Sequence, residues 1–213
     1  MAETRLSLSV LDHQIILPAE GRIALLRARP DGDYTPFDPS RLTLANSFRP
    51  SFDRLVGMAS EVVQQAEGRF ALTLVEITRS KLETLGLVAH AMQVTLPGGL
   101  VLVDGAKTDG IESILKHCRA AFDLAGVISK SHGKLFWIKR PDVLPPELAD
   151  WAAAAAPHRN TAGFVTAAGM FSPEKVDAGS MMLAQYFDHT LGGKVADLGA
   201  GWGWLAAQAL ARG

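Results

Sequence analysis

Val195-Ala196-Asp197-Leu198-Gly199-Ala200-Gly201-Trp202-Gly203 carries the strongest structural signal in the chain. It reads as the end of a buried strand, an acid at the strand edge and a loop with glycine at every second position. An apolar, alanine-rich helix follows from about Trp204 to Leu210. Strand, glycine-rich turn and helix is the layout of a nucleotide-type cofactor site. Glycine permits a tight turn and lets a ligand approach the backbone closely. The free N–H groups that open a helix attract a carboxylate or phosphate. The plainer alternative is a glycine-rich turn that holds nothing.

The spacing narrows the ligand. The dinucleotide fingerprint G-x-G-x-x-G would put its last glycine on Trp204, so it fails. A P-loop is excluded because no Gly-Lys-Ser/Thr follows the glycines. What stands is D-x-G-x-G-x-G, from Asp197 through Gly199, Gly201 and Gly203. This resembles the first motif of the class I S-adenosylmethionine-dependent methyltransferases. The resemblance implies that the loop wraps the methionine end of the cofactor and that Asp197 helps hold its ammonium group. A zwitterionic tail needs N–H donors for its carboxylate and an acceptor for its amine.

The remainder of the chain bounds the setting. Its 213 residues suggest one large domain, or one domain and a piece. A hydrophobic content of 48% allows a core, and no apolar run is long enough for a transmembrane helix. Met1-Ala2-Glu3-Thr4-Arg5 lacks the layout of a secretion signal. The single cysteine, Cys118, excludes an internal disulfide, and with the missing signal it points to a reducing cytoplasm. A net charge of −1 without a basic stripe argues against nonspecific nucleic-acid binding.

From the N-terminus to about residue 140, strand and helix patterns alternate, which implies a parallel sheet. Strands are expected at Arg22 to Ala28, Leu42 to Ala45, Phe70 to Val75 and Leu100 to Val103. Phe52, Leu55, Val56, Ala59, Val62 and Val63 recur at helical spacing and predict a helix from about Ser51 to Gln65. Ser80-Lys81-Leu82-Glu83 reads as a capping box opening a helix striped by Leu82, Leu85, Ala89 and Met92. Ile111, Leu115, Cys118 and Phe122 line a further helix. Val127 to Lys130 and Lys134 to Ile138 are joined by Ser131-His132-Gly133 and should pair as a hairpin. A hairpin closing such a sheet again resembles a class I methyltransferase domain, here without a glycine loop. Pro141, Pro145 and Pro146 mark a linker over 141–160, with a short helix after Asp150 as its N-cap. Residues 161–213 then open a second domain of the same kind, and Met181 to Phe187 form an apolar helix.

Two further segments resemble one family, the two-domain ribosomal RNA guanine-N2 methyltransferases of the RsmC type. One runs from Thr78-Arg79-Ser80-Lys81 through Pro97-Gly98-Gly99 to Gly110-Ile111-Glu112-Ser113 and Lys116. The other is Gly169-Met170-Phe171-Ser172, then Asp177-Ala178-Gly179-Ser180, then the glycine loop. The resemblance implies a degenerate first domain that binds no cofactor and a second domain that binds S-adenosylmethionine. It implies a partner in ribosomal RNA or the small ribosomal subunit, and cofactor roles for Asp177, Gly179 and Ser180. On the sequence alone, Asp177 and Ser180 equally cap the following helix.

The family's catalytic Asn-Pro-Pro-aromatic motif and its ribose-binding acid do not occur before Gly213. No catalytic or metal-binding residue is therefore named. The expectation is an N-terminal portion, inactive alone, binding cofactor weakly or not at all, and able to self-associate through unfinished apolar faces. A non-catalytic RNA- or protein-binding module with a relic loop is the alternative, and an oxidoreductase is disfavoured by Trp204. Ser113-Ile114-Leu115-Lys116 matches Ser-x-x-Lys without partner motifs. His13, His90, His117, His132, His158 and His189 lack metal-ligand spacing. Trp202 and Trp204 wall the cleft or pack in the core.

Overall fold

The computed structural model describes residues 4–188 and 192–212. His189 and Met1-Ala2-Glu3 therefore lie outside the described residues. Two compact units result, Met1–Ala154 and Ala155–Gly213.

The first unit runs α1 (Arg5–Leu11), β1 (Ile23–Leu26), β2 (Leu42–Ala45), α2 (Arg49–Leu55), β3 (Glu61–Val63), β4 (Phe70–Glu76), α3 (Lys81–Val94) and β5 (Thr95–Ala106). It continues with α4 (Ile111–Ala121), β6 (Gly126–Lys130), β7 (Gly133–Lys139) and α5 (Glu147–Ala155). The sheet order is β3-β2-β1-β4-β5-β7-β6. Every pairing is parallel except those of β7, which runs against both β5 and β6. An α/β sheet closed by a hairpin is what the class I resemblance implies.

Both faces of the sheet are covered. Ala24, Leu26, Val101, Val103, Phe136 and Ile138 face one core with Val88, Met92, Ile114, Leu115 and Cys118. Their neighbours Ile23, Leu25, Leu102, Leu135 and Trp137 face the other core with Leu6, Phe37 and Leu55. Successive strand residues point to opposite faces, so a sheet covered on both sides needs continuous apolar runs. That is why β1 and β2 are buried at every position.

Three local expectations need correction. The helix expected to Gln65 stops at Leu55, because Gly57 turns the chain at φ +89°. Val62 and Val63 instead pair with Leu44 and Ala45 in β3; sheet pairing prevails over helical spacing. Ser80 accepts from the Glu83 N–H at 3.3 Å, but the return half of the box is missing. The Ser80 N–H donates to Thr78 Oγ1, and the Glu83 carboxylate pairs with Arg27. Asp150 lies inside α5 rather than capping it, since the helix begins at Glu147, just after Pro145-Pro146. Leu148 and Trp151 of that helix pack on the first core, and Trp151 meets Phe122 edge-on at 6.3 Å. Residues 141–154 therefore lie with the first unit.

The second unit holds the hairpin β8 (His158–Arg159) and β9 (Val165–Thr166), then α6 (Ala178–Ala184) and α7 (Trp204–Leu210). The buried strand expected at Val195 is a further correction. No strand among the described residues pairs with residues 194–198, and Val195 and Leu198 are 60% and 93% exposed. A strand is defined by its ladder, and an extended segment without one leaves both faces open.

Candidate cofactor site

The glycine loop takes the form its sequence requires. Gly199, Gly201 and Gly203 lie at φ +82°, +58° and +85°. The left-handed region costs an L side chain about 1–2 kcal/mol, so three such positions in alternation select glycine at each. A Cβ at Gly199 or Gly203 would meet no atom within 4 Å. The loop is thus open where a ligand would approach, and the constraint on these positions is conformational rather than steric. Gly203 is the N-cap residue of α7. Asp197 is exposed beside the loop.

Asp177, Gly179 and Ser180 come together at the start of α6. Asp177 Oδ2 accepts from the Ser180 N–H at 3.0 Å and lies 3.4 Å from Ser180 Oγ. Of the two readings the sequence left open, helix capping is the one these contacts make. α6 packs beside α7. A cleft of about 600 Å³ lies between them, lined by Leu183, Phe187, Val195 and Leu205 and by Asp197, but not by the three glycines.

Trp202 acts within the loop's surroundings rather than in a core. Its indole N–H reaches the carbonyl oxygens of both Phe171 and Ser172 at 3.2 Å, and its ring meets Phe164 at 5.1 Å between centroids. Sequence reasoning also missed two buried polar residues. Asn160 Nδ2 and Thr166 Oγ1 both donate to the Pro173 carbonyl, and they are 8% and 1% exposed. An Asn before a Gly-containing hairpin turn was their only signal.

In open α/β sheets, ligands bind beyond the carboxyl ends of the strands. In the first unit that edge carries charged side chains of the chain itself. Glu76, the last residue of β4, has Asp104, near the end of β5, as its register partner. Arg29 pairs with Glu76 at 2.8 Å and Arg5 with Asp104 at 2.7 Å. The Tyr34 hydroxyl accepts from the Arg29 N–H at 2.6 Å and lies 3.0 Å from Glu76 Oε1. Burial pushes the Glu76 carboxyl up to about 7, although Arg29 and Tyr34 pull it down. Burial, then the charge of Glu76, raises the Tyr34 hydroxyl as well.

Ser113 and Lys116 are exposed on α4. His90 and His117 bond backbone carbonyls. His158 is raised by the Ala156 carbonyl and the Glu174 carboxylate. Among the described residues no group of three or more His, Cys, Asp or Glu could hold a metal. No helix among them is long and apolar enough to cross a membrane.

Residues 161–213 match the methyltransferase small domain family. That match contains the glycine loop, Asp197 and the Asp177–Ser180 turn. The comparison with curated proteins returned no match. Among solved structures, the chain is similar to a T. thermophilus 16S rRNA N2 G1207 methyltransferase, RsmC, solved with AdoMet and guanosine. The identity is 20% and the TM-score 0.61, over 85% of this chain and 52% of that one. The chain thus spans about half the length of that structure. A ribosomal protein L11 methylase from Lactobacillus delbrueckii subsp. bulgaricus aligns at 14% identity and TM-score 0.47, over 64% of this chain and 78% of that one. An RNA methyltransferase from Salinibacter ruber, in complex with S-adenosyl-L-homocysteine, aligns at 8% identity and TM-score 0.46, over 70% and 99%. The RsmC likeness gives the fold, Rossmann-like and of the class I methyltransferase kind. The small-domain match and the RsmC structure agree with the family that the motifs resemble.

Proposed function

We propose that these residues belong to an S-adenosylmethionine-dependent methyltransferase acting on ribosomal RNA, with the exocyclic N2 of a guanine in 16S rRNA as the acceptor. The carrying observation is the loop after Asp197: three alternate glycines in the left-handed region, inside the segment that matches the methyltransferase small domain. In this reading the first unit is a methyltransferase-like domain without a cofactor. Residues 161–213 open the catalytic one. The partner is ribosomal RNA or the small ribosomal subunit, and the compartment is the cytoplasm.

Bound at the loop, the cofactor supplies an electrophilic methyl group on a sulfonium. The part of this chain is binding and orientation. The backbone N–H groups of Gly199 and Gly201 would hold the carboxylate end and Asp197 the ammonium end, while Gly203, whose own N–H donates to the Ala200 carbonyl at 2.8 Å, would give the turn that lets the cofactor approach. Asp177, Gly179 and Ser180 support that end from α6. Holding the donor in line with a weakly nucleophilic amine lowers the barrier chiefly through orientation, and the acceptor base must leave its stack to reach the donor.

The sequence contains no Asn-Pro-Pro-aromatic segment, so the activity is proposed for a protein that carries one beside these residues. The 213-residue chain assayed alone is expected to transfer no methyl group. Its cofactor affinity is expected to fall short of the ~8 kcal/mol that a micromolar complex needs.

The test is transfer of labelled methyl from S-adenosylmethionine to 16S rRNA by the intact protein. Gly201→Arg should abolish it, because Gly201 lies at φ +58° in the loop. Methylation at the wild-type rate would overturn the reading.

A further inference from the structure

We propose that Trp202 is a positioning residue that sets the conformation of loop 199–203 against the turn at 171–175. The loop's own composition argues that something must. Three glycines in five residues give the loop unusual backbone freedom, and a loop that samples many conformations binds more weakly in proportion to the fraction that is competent. Trp202 stands in the middle of those glycines and is anchored twice from outside the loop.

The first anchor is polar. The Trp202 indole N–H is shared by the carbonyls of Phe171 and Ser172, each at 3.2 Å. In an extended chain successive carbonyls point to opposite sides, so two consecutive ones cannot converge on one donor. They do so here because Ser172 lies at φ +46°, an uncommon conformation outside glycine. Ser172 Oγ donates to the Lys175 carbonyl at 2.8 Å and closes that turn. The turn is itself fixed: Asn160 Nδ2 and Thr166 Oγ1 donate to the Pro173 carbonyl at 3.1 and 2.9 Å. The second anchor is apolar, the tilted contact of the Trp202 ring with Phe164 at 5.1 Å. Phe164 is held by the same asparagine, since its N–H donates to Asn160 Oδ1 at 3.1 Å. Asn160 thus reaches both surfaces on which Trp202 rests, and hairpin, turn and loop form one connected set.

The purpose assigned to this link, presetting the loop for the amino-acid end of the cofactor, rests on the methyltransferase reading. The link itself does not. Trp202→Phe removes the N–H and keeps a ring against Phe164, which separates the two anchors.

Amide hydrogen exchange of the 213-residue chain reads the link without any ligand. The expected result is a roughly tenfold faster exchange of the Gly203 amide, which donates to the Ala200 carbonyl at 2.8 Å within the loop, in Trp202→Phe, the size of one lost hydrogen bond, with the β8–β9 hairpin unchanged. Unchanged loop exchange would overturn the proposal. The intact protein reads the purpose: Trp202→Phe should raise the KM for S-adenosylmethionine about 5–10-fold with kcat within about twofold. An unaltered KM beside faster loop exchange overturns the presetting role. If the intact protein transfers no methyl at all, the methyltransferase reading fails, and the exchange experiment alone decides the positioning.

Discussion

Glu76 and Asp104 stand side by side across the β4–β5 ladder, two acids toward the carboxyl ends of neighbouring strands, and each is answered by an arginine from a different part of the chain. Two carboxylates at neighbouring strand ends repel unless neutralised. The two have different remedies. Asp104 receives a two-pronged pair from Arg5, Nε to Oδ1 at 2.7 Å and Nη2 to Oδ2 at 3.0 Å. Glu76 is the more deeply buried and receives one contact from an Arg29 side chain that is 62% exposed.

That difference predicts a pH dependence. Burial holds the Glu76 carboxyl up to about 7 in the folded chain, whereas an unfolded glutamate titrates near 4.5. Between those values the folded state binds more protons. Its stability is therefore fully present below about pH 4.5 and is lost as pH rises through about 7. Thermal melts should show the first unit losing about 2–3 kcal/mol from this group between pH 5 and pH 8. Glu76→Gln should flatten that slope. A slope identical to wild type would sink the assignment.

Arg5→Ala removes the Asp104 pair and two hydrogen bonds to the carbonyls of Lys130 and Ser131. The Arg5 and Asp104 side chains are 13% and 24% exposed, so the loss exceeds that of a surface pair. We expect about 1–3 kcal/mol, read as a lower denaturant midpoint with the slope unchanged. A midpoint shift below about 0.5 kcal/mol would show that the pair is solvated in practice.

Gly99→Ala tests packing rather than charge. A Cβ there would lie 2.7 Å from the Ala71 carbonyl and 2.9 Å from that of Leu96. Backbone on two sides cannot give way cheaply, and overpacking of this kind costs about 1–3 kcal/mol. Gly57→Ala serves as the comparison. Its Cβ meets nothing within 4 Å, so only conformational strain remains, and urea titration should find it the milder substitution.

Cys118 should be inert. It is fully buried on α4, and burial pushes its thiol up to about 12. A thiolate is the reactive form, so a disulfide reagent at pH 8 should label the folded chain only at the rate of unfolding. Prompt labelling of the native protein would mean that α4 opens locally.

The alternation of the first unit was legible because a doubly covered sheet writes itself as apolar runs separated by helical stripes. β1, β4, α3, α4 and the β6–β7 hairpin all follow from residue spacing. The failures share a cause. Val62 and Val63 carry helical spacing with Phe52 and Leu55, but β-branched residues suit an edge strand, and what decides between the two is the distant ladder with Leu44 and Ala45. Asp150 resembles an N-cap only if the prolines before it are read as a linker. At the site, the glycine spacing announced the loop, and the left-handed angles confirm its need for glycine. The anchors of Trp202 were illegible: two carbonyls and a ring some 30–40 residues upstream leave no periodic trace.

Arg5 has one more consequence, which concerns time. Within the first unit Arg5 is made before every partner that seats it, residues 104, 130 and 131. Contacts between residues so far apart close large loops and form late. During synthesis α1 must therefore wait, unsettled, until the β6–β7 hairpin has emerged. The earliest segment of the first unit is among the last to find its place, and its docking marks that unit's completion.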